Sequence, residues 1–156
     1  MVLTHPLWSN RTILAGEVFN GFSEPIGSSV VPNQRLYSLG GSRSIRGIGA
    51  EEELARNLFL LRGELRQTIY PELDLNLLDL LVLRRLQVRA FVDTGSVSNS
   101  AGHIYDPAHY SVGFGVGFGA FYDFMGFFPS LAYLEVATSA EKPSDVQVLF
   151  GTRQSF

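Results

Sequence analysis

Between Tyr110 and Tyr122 the chain alternates with period two. One set reads Tyr110, Val112, Phe114, Val116, Phe118, Ala120 and Tyr122; the other reads Ser111, Gly113, Gly115, Gly117, Gly119 and Phe121. This period means a strand with unlike faces, because successive side chains point to opposite sides of a sheet. One face is almost wholly apolar and the other is nearly bare backbone. A soluble sheet normally turns a polar face to solvent. A bare inner face instead suits a wall against which something else packs closely.

The same logic recurs along the chain. Arg85, Gln87, Arg89, Phe91 and Asp93 oppose Leu86, Val88, Ala90 and Val92; Phe59, Leu61, Gly63, Leu65 and Ile69 oppose Arg62, Glu64, Arg66 and Thr68. Weaker alternation marks Arg11 to Phe22, Pro129 to Thr138 and Val146 to Phe156. The expectation is all-β, with about six strands of roughly ten residues each. That is the length of a membrane-barrel strand rather than the roughly five or six of a soluble one. Turn signals separate the strands at Asn99 to Gly102, at Gly126 and Pro129, and at Lys142 to Asp145. The pattern favours an antiparallel transmembrane β-barrel over a soluble up-and-down barrel or sandwich with a filled interior. Two segments do not read as strands. Residues 24–50 form a long Gly-, Ser- and Pro-rich loop, of a length that is usually functional or disordered. Residues 71–84 fit a short helix or a strand extension equally.

Composition narrows the classes. The length of 156 residues suits one domain, residues 1–156, able to bury a core. Charged residues make up 17%, below the roughly 25% of soluble domains, while 16 glycines and 12 phenylalanines are many. A disordered tail is excluded, and a net charge of -3 argues against a nucleic-acid partner. Without cysteine there are no disulfides, thiol catalysis or Cys-based zinc sites. No apolar run approaches the roughly 18 residues of a spanning helix. The opening residues lack a signal-peptide pattern, so the chain is expected to be either cytosolic or the end of something longer.

The long loop carries Gly40-Gly41-Ser42-Arg43-Ser44-Ile45-Arg46-Gly47-Ile48. A phosphate cradle is not expected, since a P-loop needs a Lys-Ser/Thr ending and a following helix. Downstream stand Gly63-Glu64-Leu65-Arg66, then Phe91-Val92-Asp93-Thr94-Gly95, and the chain ends at Phe156. In this order the set resembles the C-terminal barrel of the BamA/TamA outer-membrane assembly superfamily, the bacterial surface antigen family. That family carries Gly-Gly followed by Val/Ile-Arg-Gly-Phe/Tyr on a long loop, matched by Gly40, Gly41, Ile45, Arg46 and Gly47. Its next strands carry Glu-x-Arg, matched by Glu64 and Arg66, and Phe-x-Asp-x-Gly, matched by Phe91, Asp93 and Gly95. Ile48 departs from the aromatic the family usually has, which implies a less firmly packed loop tip.

The resemblance implies the C-terminal portion of a larger, typically sixteen-stranded barrel in a bacterial-type outer membrane. It implies a loop folded back into the lumen. A buried arginine needs its charge paired, and its planar fork matches a carboxylate bidentately. Glu64 and Asp93 fall on the lumen side by parity, so Arg46 is expected to pin the loop through one or both. Arg62, Arg66 and Arg89 share that face and balance the acids. The bland alternative is that these charges only line a wet lumen.

The implied activity is insertion of outer-membrane proteins or movement of polypeptides across the membrane. Its partners would be the lipid bilayer, client outer-membrane polypeptides and accessory outer-membrane lipoproteins. The last strand, with Phe150 and Phe156, would form one side of a seam. Six strands would leave two unpaired edges in lipid, so the chain is expected to be part of a longer one; the alternatives are extra strands near Thr4 to Trp8 and in 71–84 that close it as eight, or closure with other copies of the chain. A passive pore, a surface antigen or a soluble carrier with its apolar face inward are the other classes. No catalytic group, metal or cofactor is expected. Glu64 and Asp93 lack a nearby nucleophile, Glu51 to Glu53 read as a solvated loop face, and His5, His103 and His109 are scattered along the chain.

Overall fold

The computed structural model describes residues 2–7, 11–24, 32, 35–42, 44–50, 53–77 and 79–154. Among the described residues ten strands follow one another: β1 (Val2–Leu7), β2 (Thr12–Phe22), β3 (Tyr37–Leu39), β4 (Glu53–Ala55), β5 (Asn57–Tyr70), β6 (Leu75–Leu77), β7 (Leu81–Ser98), β8 (Ser111–Phe124), β9 (Phe128–Ser139) and β10 (Gln147–Gln154). The six alternating segments become the long strands, and the reason is the one read from their period. β-branched and aromatic residues alternate with polar residues or glycine, which satisfies a pleated surface with two different environments.

The sheet is antiparallel throughout and runs β1-β2-β5-β7-β8-β9-β10, with β6 pairing β7 beside that path. It is open among the described residues, with β1 and β10 as its edges. The short β3–β4 ribbon belongs to the loop between β2 and β5. Two further segments join the sheet. Val2–Leu7 pairs along β2, where an extra strand near Thr4 to Trp8 is one of the alternatives. Of the two readings of residues 71–84 the strand extension is the one observed: Leu75–Leu77 turn back onto Leu81–Leu83 as a small hairpin. The hairpin prolongs β7 to 18 residues and ties in through the Leu80 carbonyl, which accepts from the Met125 N–H at 2.7 Å.

The faces divide by parity. Val88, Val92, Phe114, Val116, Phe118, Leu134, Val136, Val148 and Phe150 stand exposed on one side. Gln87, Arg89, Asp93 and Glu135 are buried on the other. This is the reverse of a water-soluble sheet, where burial follows hydrophobicity. The apolar core is small and lies where the loop meets the sheet: Leu39, Ile45 and Ile48 of the β2–β5 loop pack on Leu58 and Leu60 of β5. Ile48, expected to leave the tip loose, is buried there at 6% exposure. Each such side chain contributes roughly 1.5–3 kcal/mol on burial, so the loop is part of the folded unit rather than an appendage.

Candidate functional site

The loop reaches the sheet as a compact turn. Gly41 N–H donates to the Ile48 carbonyl at 2.9 Å, and Ser44 N–H to the Gly41 carbonyl at 3.1 Å. Gly40, Gly41 and Gly47 have φ of 101°, 82° and 90°, a region that favours glycine. At Gly47 space matters as well: a Cβ there would lie 2.7 Å from the Thr138 amide nitrogen. The loop backbone therefore rests directly on β9.

Arg46 projects from this turn and is the centre of the site. Its Nε donates to Asp93 Oδ2 at 2.7 Å and its Nη2 to Asp93 Oδ1 at 2.9 Å, a bidentate pair. The Arg46 backbone N–H adds a bond to Asp93 Oδ2 at 3.1 Å. Nη1 meets Glu64 Oε2 at 3.2 Å and both Glu135 carboxylate oxygens at 3.4 Å. The Phe91 ring lies under the guanidinium carbon at 3.5 Å, placing the cation on the negative face of the π-system. Burial works against the charge of Arg46. The hydrogen bond and attraction from Asp93, helped by Glu135 and Glu64, outweigh it and hold its pKa above the ordinary value.

A second arginine works in the opposite direction, from wall to loop. Arg62 Nε and Nη2 donate to the Ser44 carbonyl at 3.0 and 2.6 Å, and Nη1 reaches Glu17 at 3.2 Å. Arg66 Nε donates to Glu64 Oε1 at 2.7 Å. Arg89 Nη1 donates to Glu135 Oε1 at 3.2 Å. Every carboxylate of the cluster is thus engaged by a guanidinium. Such an arrangement is suited to holding a loop, because the acids keep a full set of charge-assisted donors.

The glycine face of β8 makes the site possible. In register, Asp93 faces Gly113, Phe91 faces Gly115 and Arg89 faces Gly117 on one side. On the other side Gly117 faces Glu135. A Cβ at Gly113 would strike the Arg46 carbonyl oxygen and come within 2.8 Å of Ile45 Cγ2. At Gly115 it would meet Phe91 Cζ at 2.7 Å, at Gly117 Glu135 Cγ at 2.6 Å, and at Gly119 Arg89 Nη2 at 2.7 Å. The bare strip is a groove. The loop backbone and the large inward side chains of β7 and β9 lie over it.

The structure brings Ile45, Arg46, Gly47, Glu64, Arg66 and Asp93 together, with Gly40 and Gly41 shaping the turn behind them. Phe150 stands apart on the outer face of β10, 74% exposed. Phe156 lies outside the described residues, as do Glu51 and Glu52. Glu135, the third acid on Arg46, was not among the residues the sequence singled out. The link is visible only in the register, which sets Glu135 across Gly117 from Arg89. The histidines are also less scattered than their numbers suggest: the rings of His103 and His109 lie 6.2 Å apart. Comparison with family models, curated proteins and solved structures finds no match for the chain.

Proposed function

We propose that this sheet is a wall of a transmembrane β-barrel in a bacterial-type outer membrane, and that it serves insertion of outer-membrane proteins or passage of polypeptides across that membrane. The observation that carries the reading is the Arg46–Asp93 pair, which fixes a loop against the polar side of a sheet whose other side is apolar. A soluble carrier would place these faces the other way round. Lipid is the environment in which exposed valine, leucine and phenylalanine cost nothing, and in which a charged interior has to be enclosed.

The strand directions supply a further requirement. Six antiparallel steps separate β1 from β10, so the two edges run in the same direction. Antiparallel closure takes an odd number of additional strands between them. These would come from more of the same polypeptide or from a partner, and an unpaired edge is a ready template for such a strand. On this reading the partners are the bilayer, client outer-membrane polypeptides and accessory lipoproteins.

The test is reconstitution of the chain into phosphatidylcholine vesicles, followed by the folding rate of an added urea-denatured outer-membrane barrel. Faster folding than in empty vesicles, reduced by Arg46→Ala, is the expected result. A rate equal to that of empty vesicles would overturn the assembly role. A monodisperse monomer in buffer without detergent would overturn the membrane placement.

A further inference from the structure

Both edges of the sheet are open among the described residues, and they are not alike. β1 carries Pro6, which has no N–H to donate and is one of the devices that blunt an edge. β10 contains no proline. Its backbone pairs β9 on one side only, so the other side presents a row of main-chain donors and acceptors. β1 runs in the same direction as β10 and so does not supply it with an antiparallel partner.

On the polar face at the β10 edge one side chain ends without a partner. Tyr133 of β9 pairs with Gly151 in register, and its ring leans across the glycine. A Cβ at Gly151 would strike the Tyr133 hydroxyl oxygen and come within 2.5 Å of Cζ. The side chain thus reaches from β9 over the edge strand, with its hydroxyl foremost. That hydroxyl makes no hydrogen bond among the described residues, although a buried tyrosine usually finds a partner for its O–H.

The charge around the ring indicates which partner suits it. Arg89 lies 5.7 Å from the ring centroid, donates through Nη1 to Glu135, and keeps a buried Nε without a partner. Arg85, on the same face of β7, stacks on Phe121 at 4.9 Å and makes no ion pair among the described residues. Guanidinium donors left over on this face favour an incoming acceptor, and a carboxylate above a neutral one. Neighbouring strands lie about 4.8 Å apart, so a carboxylate on a short side chain directly across from Gly151 covers the gap to the hydroxyl. We propose that β10 takes an antiparallel strand of another polypeptide, and that Tyr133 selects that strand through an aspartate or glutamate directly across from Gly151. This rests on the reading of the sheet as an incomplete barrel wall, and on its open edge in particular.

The probes are synthetic strands of about ten residues, identical except for Asp or Leu at one inward position, with a cysteine at the next. The chain has no cysteine of its own. Phe150→Cys on β10 and Leu3→Cys on β1 therefore each give a single thiol, at positions 74% and 61% exposed. Disulfide formation is followed with each full-length variant folded in detergent micelles. The Asp strand should cross-link to the Phe150→Cys variant about tenfold faster than the Leu strand, the scale of a hydrogen bond to a charged group, and only slowly to the Leu3→Cys variant. Adding Tyr133→Phe, which removes the hydroxyl and keeps the ring, should bring the two strands to equal rates; far-UV circular dichroism checks that the variant keeps its fold. Equal rates in the parent, or a preference that survives Tyr133→Phe, would overturn the selection by Tyr133 and leave the open edge standing. Equal cross-linking at β1, or none at β10 with either strand, would overturn the edge reading as well.

Discussion

Arg46 donates three hydrogen bonds to the carboxylate of Asp93, two from its guanidinium and one from its own backbone N–H. Asp93 is fully buried. One acid therefore fixes both the side chain and the main chain of the loop tip, which couples the charge pairing to the loop's position. Removing Arg46 leaves buried carboxylates uncompensated, a change that costs about 3–5 kcal/mol. Arg46→Ala should loosen the segment between Gly40 and Ala50, measured as faster proteolytic cleavage there. Equal resistance to protease in parent and variant would mean that the loop is held by Arg62 and its apolar contacts alone.

Glu135 is the weaker partner by geometry, at 3.4 Å from Arg46 against 2.7 Å for Asp93, and it is shared with Arg89. Double-mutant cycles measure the difference. The coupling of Arg46 with Asp93 should lie near the upper end of the roughly 0.5–3 kcal/mol seen for contacting residues, and that with Glu135 nearer the lower end. Equal couplings would show that the cluster acts as one diffuse charge well instead of a primary pair with a supporting acid.

Much of this was legible because a strand's period exposes its faces. The bare face of β8 predicted a closely approaching neighbour, and Arg46, Glu64 and Asp93 were singled out by parity and by the motif order. What could not be read was the register. Nothing in the order of residues says that Glu135 lies across Gly117 from Arg89, or that Phe91 lies across Gly115 from Ala137. Residues 71–84 stay open between helix and strand extension for a different reason. The leucines of the first leg, Leu75 and Leu77, are exposed and those of the second, Leu81 and Leu83, half-buried, so neither leg shows the contrast between core and solvent from which a period is read.

The glycine groove gives a matched pair of substitutions. Gly113→Ala places a methyl group against the Arg46 carbonyl and Ile45, so the loop has to shift; overpacking of this kind costs about 1–3 kcal/mol. Gly102 has φ of -70°, and a methyl group on its Cα would meet nothing within 4 Å. Gly102→Ala should then be neutral or stabilising by up to about 1 kcal/mol, through the unfolded chain. Denaturant midpoints of the two variants in micelles check this. Similar midpoints would mean that the loop does not rest on β8 in solution.

Val116 separates a lipid-facing surface from a water-facing one. It stands on the apolar side, away from the loop, 61% exposed, with Ala90 and Val136 as its cross-strand neighbours. An exposed valine on a soluble sheet tolerates replacement within about 0.5 kcal/mol, because the new side chain only exchanges one hydrated position for another. At the midplane of a bilayer, an outward arginine costs about 2–4 kcal/mol, since its charge has to be drawn out of hydrocarbon toward the headgroups. Val116→Arg should accordingly lower the stability of the chain folded into phosphatidylcholine vesicles by that larger amount. Its effect should fall off when the same substitution is made toward the strand end, at Val112. Urea unfolding from vesicles measures both. A small and position-independent effect would place the apolar face in water and remove the physical basis for reading this sheet as a membrane wall.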